Sequence, residues 1–270
     1  MRIDPRKCVA CGNCVAVCPM GAIAIDPVSH RAVVDEDECV ECYTCYRGMS
    51  REHLNPAVVR AIRGIARLVR FRFDPEPDVC PTGAFAETEL AWPRTVRRAF
   101  SDPVVPHEST GVAGRGTEEV KTNDVTGRVR RGEAGFTVEF GRPGIGARFR
   151  DIDRVTRALA AAGAHFEQAN PVTSLMSDPA AGRIRDDILG EKVLSAIVEL
   201  KTRMAGVPDI LRALRAVAGE VETVICLGVS ARCDAGGDTE LAEVLRAEGF
   251  AFWRGKTNLG LGRPLWGDAA

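Results

Sequence analysis

A chain of 270 residues, 45% hydrophobic and 27% charged, can pack a core beside a small cofactor-rich module. Its formal net charge of −1 offers no global basic balance for nucleic acid or an anionic membrane, and no apolar run is long enough to span one. Residues 1–8 lack the apolar core of a signal peptide. The expected location is therefore cytoplasmic, with no nucleic-acid partner and no membrane span.

Ten cysteines in a reducing compartment need a use other than disulfides. Cys8, Cys11, Cys14 and Cys18-Pro19 follow the bacterial ferredoxin spacing, in which the fourth cysteine ligates the other of two clusters. Cys39, Cys42 and Cys45 repeat the triplet, with a fourth cysteine displaced to Cys80-Pro81. The crossed assignment gives one 4Fe–4S cluster to Cys8, Cys11, Cys14 and Cys80, and a second to Cys18, Cys39, Cys42 and Cys45. An internal repeat selects Cys80 over Cys226 or Cys233: Cys18-Pro-Met-Gly-Ala-Ile23 recurs as Cys80-Pro-Thr-Gly-Ala-Phe85. Each copy is expected to turn through its glycine into a short apolar strand. Zinc binding is the competing use, and the register of two triplets with two fourth-cysteine segments argues against it. Residues 1–92 are thus expected to form a two-cluster ferredoxin domain.

Between Cys45 and Cys80 lies an insertion, residues 46–79. Asn55 and Pro56 signal a helix start, and a helix is expected over 56–71. Val58, Ile62, Ile65 and Val69 recur at helical spacing and predict the inward stripe. Arg60, Arg63, Arg67 and Arg70 share another face. That basic face reads either as a solvated surface or as a dock for an acidic redox partner, a ferredoxin or a flavoprotein.

Residues 93–135 are rich in Pro, Gly and charge and read as an extended connector. Within it Gly114, Gly116, Lys121, Asn123 and Asp124 could form a loop that contacts a ligand or partner; a plain linker is the alternative. From 136 to 270 strand and helix patterns alternate, which predicts an α/β sandwich with a mixed sheet, an antiparallel one being the alternative, and an α+β fold class for the chain. Strands are expected at 136–140, 165–176, 193–200, 221–229 and 250–253, with helices at 151–162, 208–217 and 239–247. The turn at 141–146 reads Gly-x-x-Gly-x-Gly, which is not the dinucleotide fingerprint. It is read as a positive-φ turn, with anion binding as the alternative. Cys226 lies in an apolar run and is expected to be a buried core residue. No spacing among His30, His53, His107 and His165 selects a metal ligand, and no catalytic residue is assigned.

The segments Gly-Arg-Gly-Thr-Glu-Glu-Val-Lys-Thr-Asn-Asp-Val-Thr-Gly-Arg (114–128) and Val-Glu-Phe-Gly-Arg-Pro-Gly-Ile-Gly (138–146) bring a family into view. With the upstream cysteines they resemble 6-hydroxynicotinate reductase-type iron–sulfur proteins. The resemblance implies a ferredoxin-dependent partial reduction of a small hydroxylated N-heteroaromatic substrate. It also implies a flavin, for which this sequence shows no motif, so the flavin is expected on a partner polypeptide. Two other readings stand beside it. One is a stand-alone electron carrier or the electron-transfer subunit of another reductase; the other is a redox sensor or assembly protein.

Overall fold

Two left-handed glycines set the frame around the cysteines. In this computed structural model residues 1–72, 78–107, 127–234 and 239–253 are described, in two compact units, Met1–Asp102 and Pro103–Ala270. In the first unit Gly21 and Gly83 have φ of 65° and 61°, a backbone that a Cβ disfavours. The chain begins with β1 (Arg2–Ile3) and α1 (Asn13–Val17), and Gly21 then turns it into β2 (Ile23–Asp26). After β3 (Arg31–Val34), α2 (Thr44–Arg47) and α3 (Pro56–Leu68), Gly83 makes the matching turn into β4 (Phe85–Ala86). β2 pairs antiparallel with β3, and β1 pairs antiparallel with β4. The start of the chain therefore closes onto the second repeat.

The inserted helix forms for the expected local reasons. Asn55 Oδ1 accepts the amides of Ala57 at 2.9 Å and Val58 at 3.4 Å, and Pro56 occupies the first helical position. Its rotation differs from the expected one. Val58, Ile62, Ile65 and Val69 are exposed, and Val59 and Ala66 are buried instead. The arginine side supplies the reason: Arg60 reaches inward to the carbonyl oxygens of Arg6 and Cys8. Those carbonyls need donors that an apolar stripe lacks.

The connector expected over 93–135 is not extended at its start. A helix, α4 (Thr95–Ser101), buries Val96, Arg97 and Phe100 within the first unit, which runs to Asp102 rather than ending at 92. The loop residues Gly114, Gly116, Lys121, Asn123 and Asp124 lie outside the described residues.

The second unit is built on β5 (Glu133–Phe140), which starts before the expected residue 136. It continues through β6 (Ala147–Arg148), α5 (Phe149–Ala161) and β7 (His165–Phe166) to β8 (Met176–Asp178), β9 (Arg183–Ile184) and β10 (Lys192–Val193). β11 (Ala196–Arg203), α6 (Val207–Ala218), β12 (Ile225–Ala231) and α7 (Leu241–Ala247) complete it. The main sheet has the order β12–β5–β11–β7 and is antiparallel at every pairing, which is the alternative arrangement and not the mixed sheet expected first. Phe136, Val138 and Phe140 of β5 are fully buried, as are Val198 of β11 and Ile152, Val155 and Leu159 of α5. Alternation on the pleat puts Thr137 and Glu199 together on the opposite face.

The strand expected over 221–229 is shifted to Ile225–Ala231, and three others stop early, divide or do not form. The one over 165–176 stops at Phe166, because Asn170 Oδ1 accepts the amides of Val172 and Thr173 and turns the chain before Pro171 can extend it. The one over 193–200 divides, with Val193 pairing to Ala147 and Ala196 to Phe140. Residues 250–253 form no strand, since the Phe250 amide donates to Leu245 O at 2.9 Å and closes the end of α7. Cys226 is exposed rather than buried, because it lies on the edge strand β12.

Candidate metal centres

The four cysteines of each crossed set line one cavity. Cys8, Cys11, Cys14 and Cys80 surround one, with Ile25, Ala32 and Phe85. Cys18, Cys39, Cys42 and Cys45 surround the second, with Met1, Met20 and Ile23. Cys226 and Cys233 belong to neither and are exposed in the second unit.

The halves repeat residue by residue. Ala10 (φ 53°) and Glu41 (φ 54°) are each two positions after the first cysteine of a triplet, and Gly12 (φ 87°) and Tyr43 (φ 60°) each follow the second. These left-handed residues curl each triplet around its cavity. At the repeated fourth position, the Ala22 amide donates to Cys18 Sγ at 3.3 Å and the Ala84 amide to Cys80 Sγ at 3.2 Å. The Ala32 amide donates to Cys8 Sγ at 3.3 Å. Asn13 ties the first loop to the approach to Cys80 by donating Nδ2 to Asp78 O at 2.9 Å.

The donor chemistry fits a polynuclear thiolate-bound cluster. Burial pushes the Cys14 thiol up to about 12, and Cys11, Cys8 and Cys80 add to the rise. Burial likewise pushes Cys45 up to about 12, with Cys42, Cys39 and Cys18 adding. Each quartet thus gathers sulfurs whose negative charges repel until a cationic centre offsets them, and loading must release protons. Among the described residues no His, Cys, Asp or Glu group is arranged to hold a single metal ion. The sulfurs instead line the walls of open volumes. A bound 4Fe–4S cluster would supply one-electron chemistry there.

The second loop carries two side chains that the first lacks. Glu41 stands where the first loop has Ala10, is 1% exposed, and accepts Arg94 Nη2 at 2.7 Å and the Met1 amine at 3.0 Å. Tyr43 stands where the first has Gly12 and is buried, with the Arg98 guanidinium 4.0 Å from its ring centre. Arg98 also pairs with the buried Asp102 at 3.3 Å, and Asp102 pairs with Arg47. Sequence reasoning assigned no role to Glu41, Arg94, Arg97 or Arg98. Aligning the two triplets would have exposed Glu41 and Tyr43 as departures from small residues.

The glycine turn at 141–146 uses its own amides. Ile145 and Gly146 both donate to Gly141 O, at 3.1 and 3.0 Å, which supports the positive-φ reading over an anion site. His30, His53 and His165 are exposed and His107 is buried. No helix among the described residues is long and apolar enough to cross a membrane.

Comparison with known proteins agrees with this geometry. Residues 1–48 match the 4Fe-4S dicluster domain family. The chain is 48% identical over 42 residues to Ferredoxin-1 of Rhodobacter capsulatus, covering 16% of this chain and 62% of that protein. It is 43% identical over 42 residues to a ferredoxin-like protein in the vnf region of Azotobacter chroococcum, with the same coverage of each chain. The chain therefore spans less than two thirds of the length of these relatives. No solved structure matches it.

Proposed function

We propose, from an N-terminal region that is a ferredoxin-type 4Fe–4S electron-carrier domain, that this chain delivers low-potential electrons to a reductase acting on a hydroxylated N-heteroaromatic ring. The observation that carries the electron-transfer part is the pair of four-cysteine cavities within one unit. Two one-electron centres together supply the electron pair that a flavin takes up. Breaking the aromaticity of a pyridone demands a low potential, which iron–sulfur clusters reach. The ring substrate, resembling 6-hydroxynicotinate, and a flavin on a partner chain rest on the glycine-rich segments 114–128 and 138–146. A cytoplasmic location belongs to the same proposal.

The redox partner docks on the exposed stripe of α3. Val58, Ile62, Ile65, Leu68 and Val69 face outward, with exposed Arg67 and Arg70 beside them. An apolar centre with a basic edge suits a partner with an apolar patch and an acidic rim. The opposite side of the helix lies on the Cys8 loop, so docking brings the partner within about one helix diameter, roughly 10 Å, of that loop.

The test is anaerobic mixing of the reduced protein with 6-hydroxynicotinate, with and without a flavoprotein. With the reduced protein in excess, reoxidation of the clusters beyond one electron pair per flavin, with reduction of the ring and only when both are present, supports the reading. Reoxidation that stops at one electron pair per flavin, with the ring unchanged, favours a stand-alone carrier, a reading that the confinement of the similarity to the N-terminal region also supports. Ile65→Glu is expected to slow transfer to the partner without moving either cluster's potential.

A further inference from the structure

The ligand loops turn amides toward sulfur. The amides of Asn13 and Glu41 face Cys11 and Cys39, as those of Ala32, Ala22 and Ala84 face Cys8, Cys18 and Cys80. A loop whose N–H groups point inward presents its carbonyl oxygens outward, and those oxygens need donors. Arginine supplies them on both sides. Arg60 of α3 donates Nη1 to Cys8 O at 3.2 Å and to Arg6 O at 2.8 Å. Arg97 of α4 donates Nη1 to Cys39 O at 2.9 Å, Glu36 O at 2.9 Å and Asp37 O at 3.0 Å.

Cys8 and Cys39 are the same position in the two half-motifs, the first cysteine of each triplet. The two arginines come from helices outside the segment that matches the dicluster family. The chain has thus met the same need twice, with unrelated elements. We infer that Arg60 and Arg97 are matched positioning residues, one for each cluster, which fix the ligand loops and raise the reduction potential of the cluster each loop holds. The inference rests on the cluster assignment proposed above.

The physical basis is charge. Reduction adds an electron to a cluster, and a guanidinium fixed on its ligand backbone favours the more negative state. Net charge and hydrogen bonding around the sulfurs are the levers that set such potentials. The interaction strengthens as water is excluded. Arg97 is 5% exposed and Arg60 is half-buried, so Arg97 exerts the larger effect.

The test is an anaerobic redox titration, read by electron paramagnetic resonance, of wild type, Arg97→Gln, Arg60→Gln and Arg97→Lys. Iron and sulfide counting on each protein reads the cluster assignment separately. Arg97→Gln should move one of the two midpoints to more negative values, and Arg60→Gln the other, by a smaller shift. Arg97→Lys, which keeps the charge, should stay near wild type. Loss of one cluster from Arg97→Gln and of the other from Arg60→Gln also supports one clamp per cluster. Full clusters with unmoved midpoints would overturn the clamps while leaving the cofactor reading standing. The same holds if both Gln variants move the same midpoint, if Arg97→Lys shifts as far as Arg97→Gln, or if either Gln variant loses both clusters.

Discussion

Met49 and Cys80 form an isolated parallel β-bridge at the root of the insertion. Around it the Val79 amide donates to Gly48 O at 2.9 Å, Ser50 to Cys80 O at 3.2 Å and Leu54 to Pro81 O at 2.9 Å. The bridge pins together the departing and returning strands of the loop that carries α3. Cys80 is thereby brought to the cavity of Cys8, Cys11 and Cys14 despite its distance in sequence from Cys45. Cys80→Ser is expected to lower iron content by about half, since each four-iron cluster takes four cysteine ligands. The surviving spectrum should be that of the Cys18, Cys39, Cys42 and Cys45 centre. Cys226→Ser, on an exposed edge strand, should leave iron content unchanged. Undiminished iron in Cys80→Ser would sink the crossed assignment.

The repeated glycines are equivalent in conformation but not in surroundings. A Cβ on Gly21 would meet nothing within 4 Å, whereas one on Gly83 would lie 2.6 Å from the His53 ring. Both alanine variants suffer the left-handed backbone, a cost of about 1–2 kcal/mol. Gly83→Ala adds a steric clash and should be the less stable of the two. Denaturant unfolding of the anaerobic protein checks the order. Equal midpoints would mean that His53 moves aside without cost.

The cysteine grammar was legible because ligand spacing is local and the half-motif occurs twice. The fourth-cysteine turns were legible for the same reason, since Gly21 and Gly83 sit in copies of one short phrase. The rotation of α3 was not. Its apolar stripe obeys helical periodicity, but periodicity identifies a face without saying what that face meets. The surface under the helix is lined by carbonyl oxygens of the Cys8 loop, which favour Arg60 over Ile62. Arg97 was hidden similarly: in a stretch of Pro, Gly and charge nothing local marks an arginine that bonds to backbone far away in sequence. In the second unit the strands of the main sheet were visible through alternation, while the break at Asn170 depends on a side chain that accepts its own downstream amides.

Glu199 is a fully buried carboxylate on the polar face of the main sheet. Asn170 donates Nδ2 to it at 3.2 Å, and Arg128 lies 3.8 Å away while pairing with Glu167 at 3.0 Å. Removing one member of such a buried set leaves the others desolvated and short of partners. Glu199→Ala is expected to cost about 3 kcal/mol of stability. Glu199→Gln, which retains an acceptor for Asn170, should cost less. Circular dichroism during urea unfolding measures both, with iron content expected to match wild type. Two variants of equal, near-native stability would show that the carboxylate contributes little to the fold.

Glu133 gives the second unit a predictable acid response. Burial pushes its carboxyl up, but the Arg130 amide at 2.9 Å and the Lys201 ammonium at 3.1 Å outweigh this and hold it below its ordinary 4.5. A carboxyl depressed in the folded state contributes stability that is fully present above its unfolded value. That contribution is lost as pH falls through the lower folded value. The unfolding midpoint should therefore be insensitive to this group at neutral pH and decline below about pH 4.5 as the carboxyl takes up its proton. Lys201→Met removes the ammonium, brings the folded value closer to the unfolded one, and should flatten that part of the acid limb. The comparison is made on urea midpoints of wild type and Lys201→Met across the acid range. Parallel curves would mean that the Arg130 amide alone holds the carboxyl down.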